Sequence, residues 1–327
     1  MNVYRHRNAL SRALATATLS LVLGLTAGGA IALEDLKIVA PAKPGGGWDQ
    51  TARAMQEVIQ AEGIATAVTV ENIAGAGGTV GLAQFVDQDN GNGNALLVNG
   101  LVMVGAILTN QSAVTLEQVT PIARLTGEFE VIVVPAASEV QTLADLVAKF
   151  KADPGSVSWG GGSAGGTDHI LAGLIAKASG VDPAKVNYVP FSGGGEALAA
   201  ILGGHVTAGV SGLGEWEGQI KSGELRALAI SSNERLPDVD IPTLKEQGVD
   251  VDLANWRAVV APPGIDDAQR KELLTAVETM VKSNGWKKTL TDKKWLDLYL
   301  AGDEFATFLA DENARVTDTL KQIGLVQ

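Results

Sequence analysis

Ser163 stands in Gly161-Gly162-Ser163-Ala164-Gly165, the spacing of a nucleophile elbow, where a serine on a sharp strand-to-helix turn can attack an acyl carbon. That chemistry needs an acid and then a base further along the chain: Asp168, Asp182 or Glu196, followed by His205. His205 follows Gly203-Gly204 at an expected helix end, and His169 falls inside an expected helix six residues past the serine. Both are poorly placed for general-base work, so Ser163 reads better as a hydroxyl donor at a helix entry. The overlapping Gly160-Gly161-Gly162-Ser163-Ala164-Gly165 also fits the dinucleotide fingerprint. A nucleotide site would need a carboxylate at the end of the next strand, and Tyr188-Val189-Pro190-Phe191 offers none. No Gly-Lys pair occurs, which excludes a Walker loop, and His169 and His205 lack metal-ligand spacing. The expectation is a protein without cofactor, metal or catalytic residues.

What remains is a set of glycine turns, each between an apolar strand and a helix. They are Pro44-Gly45-Gly46-Gly47-Trp48-Asp49, the stretch from Gly160 to Thr167, and Phe191-Ser192-Gly193-Gly194-Gly195-Glu196. A looser one is Asn72-Ile73-Ala74-Gly75-Ala76-Gly77-Gly78-Thr79. Each turn exposes unpaired N–H groups at the positive end of a helix, where glycine admits a ligand closely. Together they predict a pocket that holds an anion by its backbone. Thr167, Ser163, Ser192, Ser211 and Asn99 can add uncharged donors. Asp49 and Asp168 fall in first helical turns, where a carboxylate accepts N–H bonds; ionised, they would repel an anion, so an indirect role is expected. Trp48 can cover a ligand or pack against a hinge.

The elements that position these turns follow from periodicity. Strands are expected at 36–40, 67–71 and 95–99, each leading to a helix. A long strand at 129–135 ends in proline, and a second alternating series runs from a helix at 143–151 to a strand at 225–230. Another Pro-terminated strand, 256–261, is expected to be followed only by helices, beginning near Asp266 and Asp303. This order predicts an α/β fold of two lobes, 33–130 plus 256–327 and 131–255, with a two-strand hinge. Ligands in such sheets sit beyond the carboxyl ends of the strands, where the glycine turns fall.

Residues 1–32 read as a signal peptide. Arg5, Arg7 and Arg12 precede an apolar stretch that ends in Ala30-Ile31-Ala32, which predicts a mature start at Leu33. Cysteine is absent, so neither disulfides nor a lipid-anchoring cysteine can form. The expected location is the periplasm. Removing the three arginines takes the formal net charge from −12 to −15, which argues against nucleic acid and anionic membrane surfaces as partners.

Four ordered blocks carry a family likeness. The stretch from Ala40 to Arg53, with Pro44-Gly45-Gly46-Gly47-Trp48-Asp49, resembles the opening loop of the substrate-binding proteins of tripartite tricarboxylate transporters, the Bug-type receptors. Asn72 to Gly78, Gly161 to His169 and Tyr188 to Glu196 resemble later blocks of that family in the same order. The resemblance implies a two-lobed fold like that of type II periplasmic binding proteins, closing on a carboxylate held by loop backbone and two ordered waters. By position, it places Gly45, Gly46, Gly47, Asp49, Ala74, Gly77 and Gly78 on the first lobe's side. Ser163, Thr167, Asp168, Gly193, Gly194 and Gly195 fall on the second. The Gly-Gly-Gly-Trp-Asp form is similar to the tricarboxylate branch and implies a citrate-like ligand. The implied partners are a small carboxylate and a two-component membrane permease, with the receptor itself a monomer. A sensor docking on a membrane kinase would share the same cleft chemistry.

Overall fold

Apolar runs bounded by turns build ten strands and ten helices among the described residues, 33–327, of the computed structural model. The expected signal peptide, 1–32, lies outside them. The first series is β1 (Leu33–Ala40), α1 (Gly47–Ala61), β2 (Ala65–Asn72), α2 (Thr79–Gln88), β3 (Ala95–Gly100) and α3 (Leu101–Thr109). Next come β4 (Thr120–Pro135), α4 (Leu143–Ala152), β5 (Ser158–Gly161), α5 (Thr167–Ala178), β6 (Asn187–Pro190) and α6 (Gly194–Leu202). The chain continues through β7 (Ala208–Gly212), α7 (Leu213–Ser222), β8 (Leu225–Ile230) and β9 (Ala254–Ala261). It ends with α8 (Asp267–Lys282), α9 (Asn284–Lys293), β10 (Leu296–Ala301) and α10 (Gly302–Gln322).

Both lobes are organised around β4. Its first part, Thr120–Phe129, pairs antiparallel with β9, and its second, Glu130–Pro135, with β7 and β8. Strand order runs β2-β1-β3-β9-β4 on one side and β4-β7-β5-β6 on the other. The alternating units pair parallel as expected: β1 with β2 and β3, and β5 with β6 and β7. The result is a mixed α/β fold of two lobes, joined where Phe129 of β4 faces Ala254 of β9. β3 is buried along its whole length because helices cover both of its faces. Met55, Ile59, Leu82 and Phe85 pack against the first sheet, and Phe150 and Trp159 meet edge to face in the second lobe.

Two expectations fail here, for one reason. The segment after β9 is not purely helical, because β10 pairs antiparallel with β4 along 123–127. Likewise β4 begins at Thr120, well before Phe129. Arg124 and Thr126 interrupt the apolar pattern of β4, but their side chains donate to the carbonyls of Leu298 and Leu296 on β10. Each strand supplies what the other's polar residues need, and neither shows a clean alternation alone.

Candidate functional site

The strand ends bring the four glycine turns to one cleft of about 520 Å³. From the first lobe α1 enters through Gly46 and Gly47, and the turn Ala74–Gly78 leads into α2. From the second come the N-termini of α5, α6 and α7, at Gly166, Gly193 and Gly212. N–H groups of opposite lobes therefore face a shared space.

Side chains hold these turns in shape. The Asp49 carboxylate accepts the Gly45 N–H at 2.8 Å, Asn72 Nδ2 at 2.8 Å and Arg53 Nε at 3.0 Å. Burial alone would raise its pKa, but the bonds from Arg53, Gly45 and Asn72 outweigh that and hold it below the ordinary value. Asp168 takes the Gly162 N–H at 2.5 Å, and the Tyr188 hydroxyl donates to the Gly162 carbonyl at 2.8 Å. Glu196 accepts the Ser192 N–H at 3.1 Å and, across the rim, Lys43 of the first lobe at 2.5 Å.

Of the residues expected in the site, Gly46, Gly47, Trp48, Ala74, Gly77 and Gly78 line the cleft from one side. Ser163, Thr167, Asp168, Ser192, Gly193, Gly194 and Ser211 line it from the other. Gly45, Asp49, Gly195 and Asn99 do not. Asp49 lies behind the turn, and Asn99 is fully buried in β3 with its Oδ1 unpartnered among the described residues. Trp48 is both wall and packing, lining the cleft while its ring lies against Gly78 and Met103. Neither His169 nor His205 lines the cleft. His169 stacks on Tyr188 at 4.0 Å, takes the Gly165 N–H on Nδ1, and is pushed down to about 4 by burial, so it stays neutral.

The cleft floor carries charges that the glycine motifs do not announce. Arg257 of β9 pairs with Glu128 of β4, each 3% exposed, and its Nη2 lies 4.0 Å from Glu215 of α7. A Cβ on Gly47 would sit 2.2 Å from that Nη2, so glycine there makes room for the guanidinium beneath the start of α1. In the same way, a Cβ on Gly194 would sit 1.9 Å from Glu215 Oε2. Asn255 accepts the Thr167 hydroxyl at 3.2 Å, tying β9 to α5. Glu130 is wholly buried beside Asp168. Burial lifts Asp168 to about 6 and Glu215 to about 7, Glu215 further through the Asp168 charge. Glu130 is raised well above the ordinary range by burial, then by Asp168 and Glu215. One partial signal for this floor was in the sequence: a charged residue inside a strand otherwise apolar, as Arg257 is in 254–261 and Glu130 in 129–135, must be paired or functional if it is buried.

Comparison with known proteins assigns the chain to a receptor family. Residues 51–325 match the family model described as tripartite tricarboxylate transporter family receptor. The chain belongs to that family, which is a class of binding receptors. Protein BugT of Bordetella pertussis is 28% identical over 295 residues, covering 88% of this chain and 89% of BugT. Among solved structures, the periplasmic binding protein BugD superposes with a TM-score of 0.80 at 21% identity, covering 90% of this chain and 98% of BugD. MatC from Rhodopseudomonas palustris with bound malate gives 0.78 at 24%, covering 88% and 99%. At these identities the two structures establish a shared fold.

Proposed function

We propose that this chain is a periplasmic receptor that captures a di- or tricarboxylate, citrate-like in size and charge, and delivers it to a two-component integral membrane permease. In this reading residues 33–130 plus 256–327 form one lobe and 131–255 the other, and the mature receptor begins at Leu33 and acts as a monomer. The observation that carries it is the convergence of helix N-termini from both sides on one cleft, with Ser163, Thr167 and Ser211 in its lining. Each terminus contributes about 0.3–1 kcal/mol toward an anion, so several acting together are required. Closure is then favoured only when the ligand gives both lobes something to hold. MatC, with malate in a similar fold, supports a carboxylate as cargo.

The test is a titration of citrate and malate, followed by calorimetry and by intrinsic tryptophan fluorescence, to which Trp48 in the cleft wall contributes. Saturable heat and a fluorescence change are expected. Silence across a broad panel of carboxylates would overturn the reading.

A further inference from the structure

Charges in the cleft floor do not balance. Glu128 and Arg257 cancel each other, and Lys43 at the rim is committed to Glu196. Three carboxyl groups are left: Glu130 on β4, Asp168 at the start of α5, and Glu215 in the first turn of α7. The cation nearest Glu215 is Arg257, already paired. Behind Arg257 a smaller cavity of about 170 Å³ adds Glu217, Asp292 and Lys293, one cation against two more carboxylates. Glu130 is wholly buried, with Asp168 and Asn255 as its polar neighbours. Tyr188 is held neutral by burial and by Asp168 and Glu130. If all three carboxyls ionised, an incoming anion would meet concentrated negative charge with little water to screen it.

We propose that the cleft binds its anion together with one proton, carried by Glu215, so that Glu215 meets the ligand as a neutral hydroxyl donor and reads an acceptor oxygen on it. The inference rests on the carboxylate reading above and adds a specificity-determining residue to it. Three observations single out Glu215 within the cluster. Glu130 does not line the cleft, whereas Asp168 and Glu215 do. Asp168 is favoured in its ionised form by the Gly162 amide, by its own amide and by Glu130, whereas Glu215 has only Ser211 acting in that sense. Glu215 is 15% exposed toward the open space, beneath the N-terminus of α6, and burial has already brought its pKa to about 7. A ligand carboxylate arriving beside it raises that value further, and the proton comes from bulk water with no covalent change in ligand or protein.

Calorimetry of the wild-type chain with malate and with citrate, at about pH 8 in Tris and again in Hepes, measures the proton directly, because both acids are then fully ionised. Uptake approaching one proton per ligand is expected. The Kd should weaken by up to about tenfold per pH unit above about pH 7 and level off in mild acid. Glu215→Gln, which fixes the neutral form, should tighten binding at about pH 8 and abolish both proton uptake and the pH slope. Binding with no proton uptake, or a Glu215→Gln slope parallel to the wild type, would overturn this inference while leaving the receptor reading intact. Failure of both acids to bind would overturn the carboxylate reading, and this inference with it.

Discussion

Gly46 and Gly47 are adjacent in the sequence and physically unalike. A Cβ on Gly46 would meet the Lys43 carbonyl oxygen at 3.4 Å and the Ala42 methyl at 3.7 Å, ordinary contacts at a φ of −72°. On Gly47 it would overlap Arg257 and drive the guanidinium from Glu128. Gly47→Ala is therefore expected to cost about 1–3 kcal/mol through overpacking, and to weaken ligand binding by displacing a floor residue. Gly46→Ala should cost under about 1 kcal/mol, as for an N-cap change. Urea denaturation of the two variants side by side checks the contrast, and equal losses would refute it. The same pair marks what was legible at this scale. Glycine spacing after a strand reveals that backbone amides are on offer, since only that geometry requires it. It does not reveal which side chain fills the space left behind. Arg257, Glu128 and Glu215 lie far from the turns in sequence, and a charged residue in a strand pattern could equally have faced solvent on an edge.

Elements with their own local signals were readable, and those defined by a partner were not. β8 at 225–230 matches its expected limits because an apolar run after a glycine turn defines it locally. β10 is a strand only against β4, whose first half lies between β10 and β9. α9 (Asn284–Lys293) went unseen although Ser283, which caps it through the Trp286 N–H, opens a Ser283-Asn284-Gly285 break directly after α8. The element most exposed to a single change is the first turn of α1. Asp49, 3% exposed, holds it to β2 by bonds to Gly45, Arg53 and Asn72. Asp49→Ala leaves those donors without their acceptor, at an expected cost of about 1–3 kcal/mol. It should also weaken ligand affinity more than Gln50→Ala, a nearby change that removes an exposed bond to the Gly45 carbonyl and one accepted from Lys293. Chemical denaturation and ligand titration of both variants provide the measurement; equal affinity in the two would show that the turn keeps its shape unaided.

At the scale of the whole molecule, the acidity read from composition and the carboxyl cluster read from the fold bear on one quantity, the pH dependence of stability. The two-lobed plan was legible because the strand–turn–helix unit repeats on either side of 129–135. The cluster was not, since only folding brings 130, 168 and 215 together. Asp168 and Glu215 have folded values, about 6 and about 7, above those of the unfolded chain. The native state therefore binds more protons between the ordinary carboxylate range and neutrality, and stability falls as pH rises through that window. Asp49 acts in the opposite sense: its depressed value contributes stability at neutral pH that is lost as pH falls through the ordinary carboxylate range. These groups place the maximum for the ligand-free receptor in the ordinary carboxylate range, at about pH 4. Each unit of upward shift corresponds to about 1.4 kcal/mol, so on the order of a few kcal/mol should be lost between that maximum and about pH 8. Differential scanning calorimetry of the free protein is expected to show Tm falling over this range, with Glu215→Gln raising Tm at the alkaline end and flattening the curve. A Tm that holds steady or climbs between about pH 6 and 8 would mean that the three carboxyls ionise without cost, and that the floor of the cleft is better solvated than its burial implies.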